Sequence, residues 1–236
     1  MEPRKDLVNK LLNQYNIDDS VLGVILVGSA GKGYQDEYSD IDLEVVVTEN
    51  QYDTLEKNSQ KIIHTKNYDL TFTTINKLQQ VKESERDEDH WRYRDCPVLL
   101  DKTDRLKGIL RKMTRYNMNS RLDRLKRYYL GYWENSLNAM GCLRHKNDWG
   151  ARIYAALAMQ ELIRLLFNFN YHWAPKVQWA FREIHLLQRK PINLESQIVS
   201  ILTKPNLKKL STLWDETAKL LREEKHVWVD HPEEIL

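Results

Sequence analysis

Two aspartates separated by a single apolar residue are the strongest chemical signal in this chain. Asp40 and Asp42 flank Ile41 at the start of an apolar run. Because side chains alternate between the two faces of a strand, both carboxylates lie on one face. Their mutual repulsion destabilises an ordinary strand surface. A divalent cation removes that cost, since Mg²⁺ binds through one or two carboxylates plus substrate phosphates. The pair therefore predicts a metal site.

Ten residues separate a Gly-Ser pair from the first of these carboxylates. Gly28 and Ser29 close an apolar run at residues 21–27. A turn that contains glycine can bring backbone N–H groups close to a phosphate. A phosphate-binding turn beside a metal-binding strand predicts phosphoryl or nucleotidyl transfer.

The composition limits the classes of protein to which the chain can belong. It has 236 residues, of which 30% are charged, and a mean hydropathy of −0.64. Its apolar runs fall far short of the roughly 20 residues that span a bilayer, and the first ten residues contain no apolar core of a secretory signal. Its two cysteines, Cys96 and Cys142, lie far apart. We therefore expect a cytoplasmic protein with free thiols and no membrane partner.

Charge is distributed unevenly, although the formal net charge is only +2. Residues 102–127 contain ten Lys or Arg against two Asp, whereas residues 34–56 contain eight Asp or Glu and no Lys or Arg. An acidic segment that needs cations and a basic segment that meets phosphates would suit a nucleotide-binding cleft. The alternative is that each segment is only a solvated face.

Hydrophobic patterning predicts an α/β half followed by a helical half, and thus an α+β chain with a mixed sheet and a C-terminal helical bundle. The strands predicted in the first half cover residues 21–27, 41–47, 61–65, 68–74 and 96–100. The helices predicted there cover residues 4–15, 51–59 and 75–82. The highly charged residues 83–90 are predicted to form a solvated loop.

The second half shows helical periodicity throughout. Its predicted helices cover residues 121–143, 151–169, 176–187 and 206–223, and the second of them has the wide apolar face of a central bundle helix. We therefore expect a catalytic domain at residues 1–110 and a helical, acceptor-binding domain at residues 111–236.

The pattern as a whole resembles that of the polymerase-β-like nucleotidyltransferase superfamily. That pattern is an apolar residue, Gly-Ser or Gly-Gly, nine to thirteen residues, and then Asp-apolar-Asp or Asp-apolar-Glu. The local form, GSAGKG followed by YSDIDL, looks most like antibiotic nucleotidyltransferases of the aminoglycoside and lincosamide types and their minimal relatives. An α/β half followed by helices also matches those two-domain enzymes.

The resemblance implies a third carboxylate on a neighbouring strand, for which Asp69 is the convincing candidate. The alternative for Asp69 is an exposed aspartate at a strand end. In the implied mechanism, Asp40 and Asp42 hold two Mg²⁺ ions that also bind the triphosphate, and Asp69 helps to hold the one nearer the acceptor. The acceptor hydroxyl attacks the α-phosphorus of ATP or another NTP, and pyrophosphate leaves.

Five residues are candidates for binding the nucleotide. The resemblance implies that Gly28 and Ser29 contact the β- and γ-phosphates. Lys32 lies in the same turn and either meets a phosphate or is a solvated lysine. Ser39 is either a phosphate ligand or structural. Lys176 stands where a helical-domain lysine of relatives can reach the triphosphate, and its alternative is a surface lysine.

The acceptor and the general base come from the helical half in this interpretation. Glu134, Asp148 and Glu161 are the candidate bases, because a carboxylate among apolar neighbours can have a raised pKa. Glu161 could instead pair with Arg164, and Asp148 could cap a helix.

The leading hypothesis is AMP transfer to a small hydroxylated compound such as an aminoglycoside or lincosamide, and hence antibiotic resistance. The alternatives are nucleotidylation of a protein or RNA, as in toxin–antitoxin relatives, and a non-catalytic nucleotide-binding protein. Nucleic acid is not excluded as a partner, although the near-neutral net charge argues against extensive contacts. The oligomeric state is open, and a homodimer is possible.

Overall fold

The computed structural model describes residues 2–235, which divide into two compact units. The first unit ends at Arg115 and the second begins at Tyr116. The first contains a five-stranded mixed sheet with helices, and the second contains helices. The predicted α+β fold class is confirmed.

The first unit alternates short helices with five strands. The strands are β1 (Val21–Val27), β2 (Ile41–Val47), β3 (Ile62–His64), β4 (Tyr68–Thr73) and β5 (Val98–Asp101). The helices are α1 (Glu2–Asn16), α2 (Gly28–Gly31), α3 (Glu49–Lys57), α4 (Ile75–Gln80), α5 (Asp87–Tyr93) and α6 (Leu106–Met113). A single 3-10 turn, Val81–Glu83, follows α4.

The sheet order brings the predicted site to one edge. The strands run in the order β3-β4-β2-β1-β5. β1 and β2 are antiparallel, so the end of β1 adjoins the start of β2. β4 runs parallel to β2, so its start lies at the same edge. The Gly-Ser segment and the three aspartates are therefore all connected to this edge of the sheet.

The alternation along β2 divides its side chains between two cores. Leu43 and Val45 join a core that includes residues of α1 and α3, and Val46 joins a second core with residues of α5 and α6. Because side chains two positions apart share a face, Asp42 and Glu44 belong to the face of Val46. β2 thus places two carboxylates on the side of the sheet that α5 covers.

The prediction of a solvated loop at residues 83–90 is wrong. α5 begins at Asp87, and Asp87, His90 and Trp91 are buried. The ring nitrogens of His90 lie 2.6 Å from the carbonyl oxygen of Met113 and 2.8 Å from that of Ser84. Asp87, His90 and Trp91 have the i, i+3, i+4 spacing of a helix face. Hydrophobic patterning does not detect this face, because two of the three buried side chains are polar.

The second unit is built on two long helices with shorter helices around them. Its helices are α7 (Arg121–Arg144), α8 (Asp148–Phe169), α9 (Val177–Glu183), α10 (Leu194–Thr203) and α11 (Leu207–Glu223). α8 is buried along much of its length, as its apolar face predicts. The helix predicted at 176–187 is shorter, because it passes into a 3-10 turn at Ile184, and α10 was not predicted.

Within residues 2–235, no helix combines the length and the apolar composition that crossing a bilayer requires.

Candidate active site

Gly28 and Asp42 are in direct contact through the junction of β1 and α2. Gly28 starts a one-turn helix instead of a simple turn, and its φ of +63° lies in the left-handed region. A Cβ atom on Gly28 would lie 1.9 Å from Oδ2 of Asp42. Only glycine fits this position, because its hydrogen leaves room for the carboxylate and its backbone tolerates that φ. The Gly-Ser segment and the carboxylate are therefore one structural unit.

Asp69 lies beside Asp42 on the neighbouring strand. The two residues are Cα partners in the parallel pairing of β2 with β4, and adjacent strands are about 4.8 Å apart. Both side chains are partly exposed, whereas Asp40 is exposed just before β2. The structure thus places two of the three predicted carboxylates side by side at the edge of the sheet.

The donor set of this pair fits a hard divalent cation. Asp42 and Asp69 offer carboxylate oxygens, and Mg²⁺ commonly takes one or two carboxylates together with substrate phosphates. Within residues 2–235, no group of three or more His, Cys, Asp or Glu side chains is gathered to hold a metal ion. A metal-binding role for Asp40, Asp42 and Asp69 stays a prediction.

His64 is a member of the site that sequence reasoning missed. Its Nδ1 lies 2.8 Å from Oδ2 of Asp69, because the antiparallel pairing of β3 with β4 places the two residues opposite each other. The Asp69 side chain is 26% exposed. The short connection between β3 and β4 fixes the register of this hairpin, which places His64 opposite Asp69. The hairpin pattern in the sequence was therefore the signal that could have identified His64.

A second missed group surrounds the carboxylate of Glu44. Glu44 is only 3% exposed, and it accepts hydrogen bonds of 2.8 Å from Nη2 of Arg92 and from the hydroxyl of Tyr93. Burying an ionised carboxylate is costly unless it is paired and hydrogen-bonded. α5 thus supplies the two partners that allow Glu44 to lie on the same face of β2 as Asp42.

The titration behaviour of these groups follows from their burial. Burial raises the pKa of Tyr93, and Glu44 adds to that effect, so the hydroxyl stays protonated and donates. Burial alone would lower the pKa of Arg92, but Glu44, Tyr93 and Asp42 together outweigh it and the pKa is raised. Asp42 contributes to the same rise in the pKa of Arg92.

Two of the predicted nucleotide ligands are engaged in local contacts. The Lys32 ammonium donates to the backbone oxygens of Trp91, at 2.7 Å, and of Arg94. It also lies 4.7 Å from the centroid of the Trp91 ring. The Ser39 hydroxyl donates to Asp36 Oδ1 at 2.8 Å. Lys32 therefore fastens α2 to the end of α5, and phosphate binding by either residue stays a prediction.

Ser29 is buried within α2, so its predicted phosphate contact through the hydroxyl also stays a prediction.

The candidates of the helical unit occupy separate positions. Lys176 is exposed immediately before α9, and Glu134 is exposed on α7. Glu161 pairs with Arg164 at 3.0 Å, as the alternative for that residue proposed.

The capping alternative for Asp148 is wrong. Asn147 caps α8 by accepting a hydrogen bond from the Gly150 N–H, and Asp148 is the first helical residue. Asp148 is exposed in the first turn of α8, where its negative charge interacts favourably with the helix dipole.

Comparison with known proteins finds a nucleotidyltransferase domain in part of the chain and leaves the subfamily open. Residues 7–93 match the family model of the nucleotidyltransferase domain, which covers β1, α2, β2 and Asp69. No curated protein matches the chain. A nucleotidyltransferase-like protein from Exiguobacterium sibiricum 255-15 shares 13% identity over 92% of this chain and 77% of its own, with a TM-score of 0.43.

Proposed function

We propose that this protein is a nucleotidyltransferase that moves a nucleoside monophosphate, with ATP as the expected donor, to a hydroxyl group and releases pyrophosphate. The observation that carries the proposal is the position of Asp42. It lies against the backbone of Gly28 on one side and beside Asp69 on the other. A carboxylate held between a phosphate-binding segment and a second carboxylate has the surroundings that this reaction requires.

Each residue at the end of β1 and at the starts of β2 and β4 has a distinct role in this proposal. Asp42 and Asp69, with Asp40 as the predicted third carboxylate, would hold Mg²⁺. Bound there, Mg²⁺ supplies charge neutralisation at the phosphate oxygens and a lower pKa for the attacking hydroxyl. The backbone of Gly28 has no side chain between it and the site, so its N–H and that of Ser29 can approach the β- and γ-phosphates.

The acceptor is proposed to be a small hydroxylated compound, of which aminoglycoside and lincosamide antibiotics are the first to test. In this proposal residues 1–110 carry the transfer chemistry and residues 111–236 bind the acceptor. Glu134, Asp148 and Glu161 remain the candidate bases. Since Glu161 is paired with Arg164, the exposed Glu134 and Asp148 are the better choices for a first mutagenesis.

An RNA acceptor is the second candidate, and the outward face of α6 favours it. Arg105, Lys107, Arg111 and Lys112 are exposed around this helix. Among the described residues, none of these four cations forms an ion pair. A cluster of unpaired cations is the electrostatic feature that phosphodiester backbones recognise.

The test is transfer of AMP, followed by mass spectrometry. ATP and Mg²⁺ are incubated with the protein and pooled aminoglycosides and lincosamides, a protein extract, or tRNA, with Asp42→Asn in parallel. A mass gain of one AMP on a small molecule, absent in the variant, supports the leading proposal. Labelling of RNA alone, lost when Lys107 and Arg111 are changed to Glu, supports the second. Transfer that Asp42→Asn leaves unchanged refutes the assigned site.

A further inference from the structure

Arg92 is an arginine with most of its hydrogen-bonding capacity unused. An arginine side chain has five N–H donors, and Nη2 of Arg92 uses one of them on Glu44. Its Nε is buried without a hydrogen-bond partner among the described residues. The side chain is nevertheless 38% exposed. Its Nε is therefore a buried donor without a partner in the described part of the protein, which is costly for a purely structural arginine, and the exposed part of the guanidinium is open to a ligand.

Glu44 fixes the direction of this guanidinium. Because Glu44 and Asp42 share one face of β2 two residues apart, a cation anchored on Glu44 stays close to Asp42 without depending on it. Tyr93 donates to the second oxygen of Glu44, so both carboxylate oxygens are engaged. This arrangement orients Arg92. Because Glu44 is its counter-ion, Arg92 does not require the charge of Asp42 to hold it in place.

α5 holds Arg92 on a well-supported backbone. Lys32 donates to the carbonyl oxygens of Trp91 and Arg94, on either side of Arg92 in the helix end. The Cys96 thiol donates to the carbonyl oxygen of Arg92 itself at 3.0 Å. At the other side of the helix, His90 is buried between two carbonyl oxygens. A side chain carried by so many fixed contacts is pre-organised, which is the property that a phosphate-binding group needs.

We propose that Arg92 binds the phosphates of the leaving pyrophosphate group, with Glu44 and Tyr93 as its positioning residues. This inference rests on the proposed function, since it assigns a new residue to the same site. It also explains how the site supplies a cation although Lys32 is bound to the end of α5. Arginine suits this task because its planar fork donates two parallel hydrogen bonds to phosphate oxygens.

The experiment measures binding of inorganic tripolyphosphate by calorimetry, without metal and without acceptor. Arg92→Met alone leaves Glu44 buried without its cation and can unfold the protein, so the informative variant is Arg92→Met combined with Glu44→Gln. The expected result is a thermal melting temperature close to the unmodified value and a binding constant weaker by about tenfold to a hundredfold. Arg92→Lys should recover part of the affinity, because it keeps the charge and loses the fork.

Arg86→Met is the matched control, because Arg86 is an exposed arginine directly before α5 that pairs with Glu88. It should leave tripolyphosphate binding unchanged. If the double variant binds tripolyphosphate as tightly as the unmodified protein, or if the unmodified protein does not bind it at all, the inference is overturned. If binding depends on Arg92 but no acceptor is ever labelled, the proposed transfer fails and the assignment of Arg92 to phosphate binding survives.

Discussion

Arg92 in the first unit and Arg124 in the second unit show two opposite uses of one side chain. Arg124 is 3% exposed and donates to Asn168 Oδ1 at 2.9 Å, to the Ser120 hydroxyl at 2.5 Å and to the Asn117 carbonyl oxygen at 2.6 Å. Its Cζ lies 4.9 Å from the Tyr116 ring centroid and 4.5 Å from that of Trp173. Every nitrogen of Arg124 is engaged, whereas Arg92 is engaged through one.

The difference separates a stabilising group from a binding group. A guanidinium whose donors are all satisfied by its own unit has nothing left for a ligand, and removing it leaves buried partners unsatisfied. A guanidinium that is hydrogen-bonded through only one of its nitrogens has N–H donors left to bind a ligand. The two units thus use buried polar groups differently: the helical unit uses them to tie its elements together, and the sheet edge uses them to hold charges in place.

The largest effect is expected for Asp42→Asn. The amide keeps the size of the side chain and removes the charge, so the fold should be retained while the transfer rate falls by about a thousandfold or more. AMP transfer and circular dichroism measure the two properties. A variant that folds and transfers AMP at the unmodified rate would remove Asp42 from the site.

Gly28→Ala tests the contact between the Gly-Ser segment and the carboxylate. The new Cβ would collide with Asp42 at a positive φ, so we expect a loss of about a hundredfold in transfer and about 1–3 kcal/mol in stability. Gly33→Ala is the matched control, because Gly33 also has a positive φ, +69°, but has nothing within 4 Å of the added Cβ. Equal losses of transfer in the two variants would show that strain, and not Asp42, limits the rate.

Arg124→Met sharpens the comparison of the two arginines. It should destabilise the protein by about 2–4 kcal/mol, because the buried Asn168 Oδ1 loses one of its donors and the other contacts of the guanidinium are lost with it. Tripolyphosphate binding should be unchanged wherever the protein remains folded. Urea unfolding and calorimetry measure these two effects, and a loss of phosphate affinity in the folded variant would contradict the division of roles.

Acid sensitivity is a smaller effect that belongs to the helical unit. Burial alone would raise the pKa of Glu224, but hydrogen bonds from Arg121 and Arg189 outweigh it and lower the pKa. A lowered folded-state pKa gives stability that is present above the unfolded value, near 4.3, and is lost as pH falls through the folded value. In urea unfolding from pH 7 to pH 3, Glu224→Gln should be less stable by about 1 kcal/mol at pH 7 and should lose less on acidification. Equal pH slopes for the two proteins would count against this pairing.

His64→Ala is expected to have the smallest effect. The pair with Asp69 is largely open to solvent on the histidine side, and such pairs contribute about 0–1 kcal/mol. A change in transfer of no more than about fivefold is therefore expected in steady-state kinetics. A hundredfold loss would mean that His64 takes part in the chemistry.

The sequence predicted which residues of β1, β2 and β4 lie close together better than it predicted the contacts that surround them. Asp42 was singled out because it and Asp40 flank Ile41 a short distance after a Gly-Ser segment, which is local information. Asp69 was found through a resemblance, since its register against β2 is set by the sheet. Arg92 was missed because its partner, Glu44, lies 48 positions away and because its helix was interpreted as a charged loop. Burial of polar residues on backbone partners is a tertiary property that hydrophobic patterning cannot report.

Binding of Mn²⁺, followed by electron paramagnetic resonance in the presence of a non-hydrolysable ATP analogue, tests the central claim most directly. The claim is that Asp42 and Asp69 together form the metal and nucleotide site of the first unit. The unmodified protein should bind Mn²⁺ with the analogue, and Asp42→Asn and Asp69→Asn should each weaken that binding by about tenfold or more. Asp53→Asn, which changes an exposed aspartate of α3, should have no effect. Binding that survives both site substitutions unchanged would place the metal elsewhere and contradict the account.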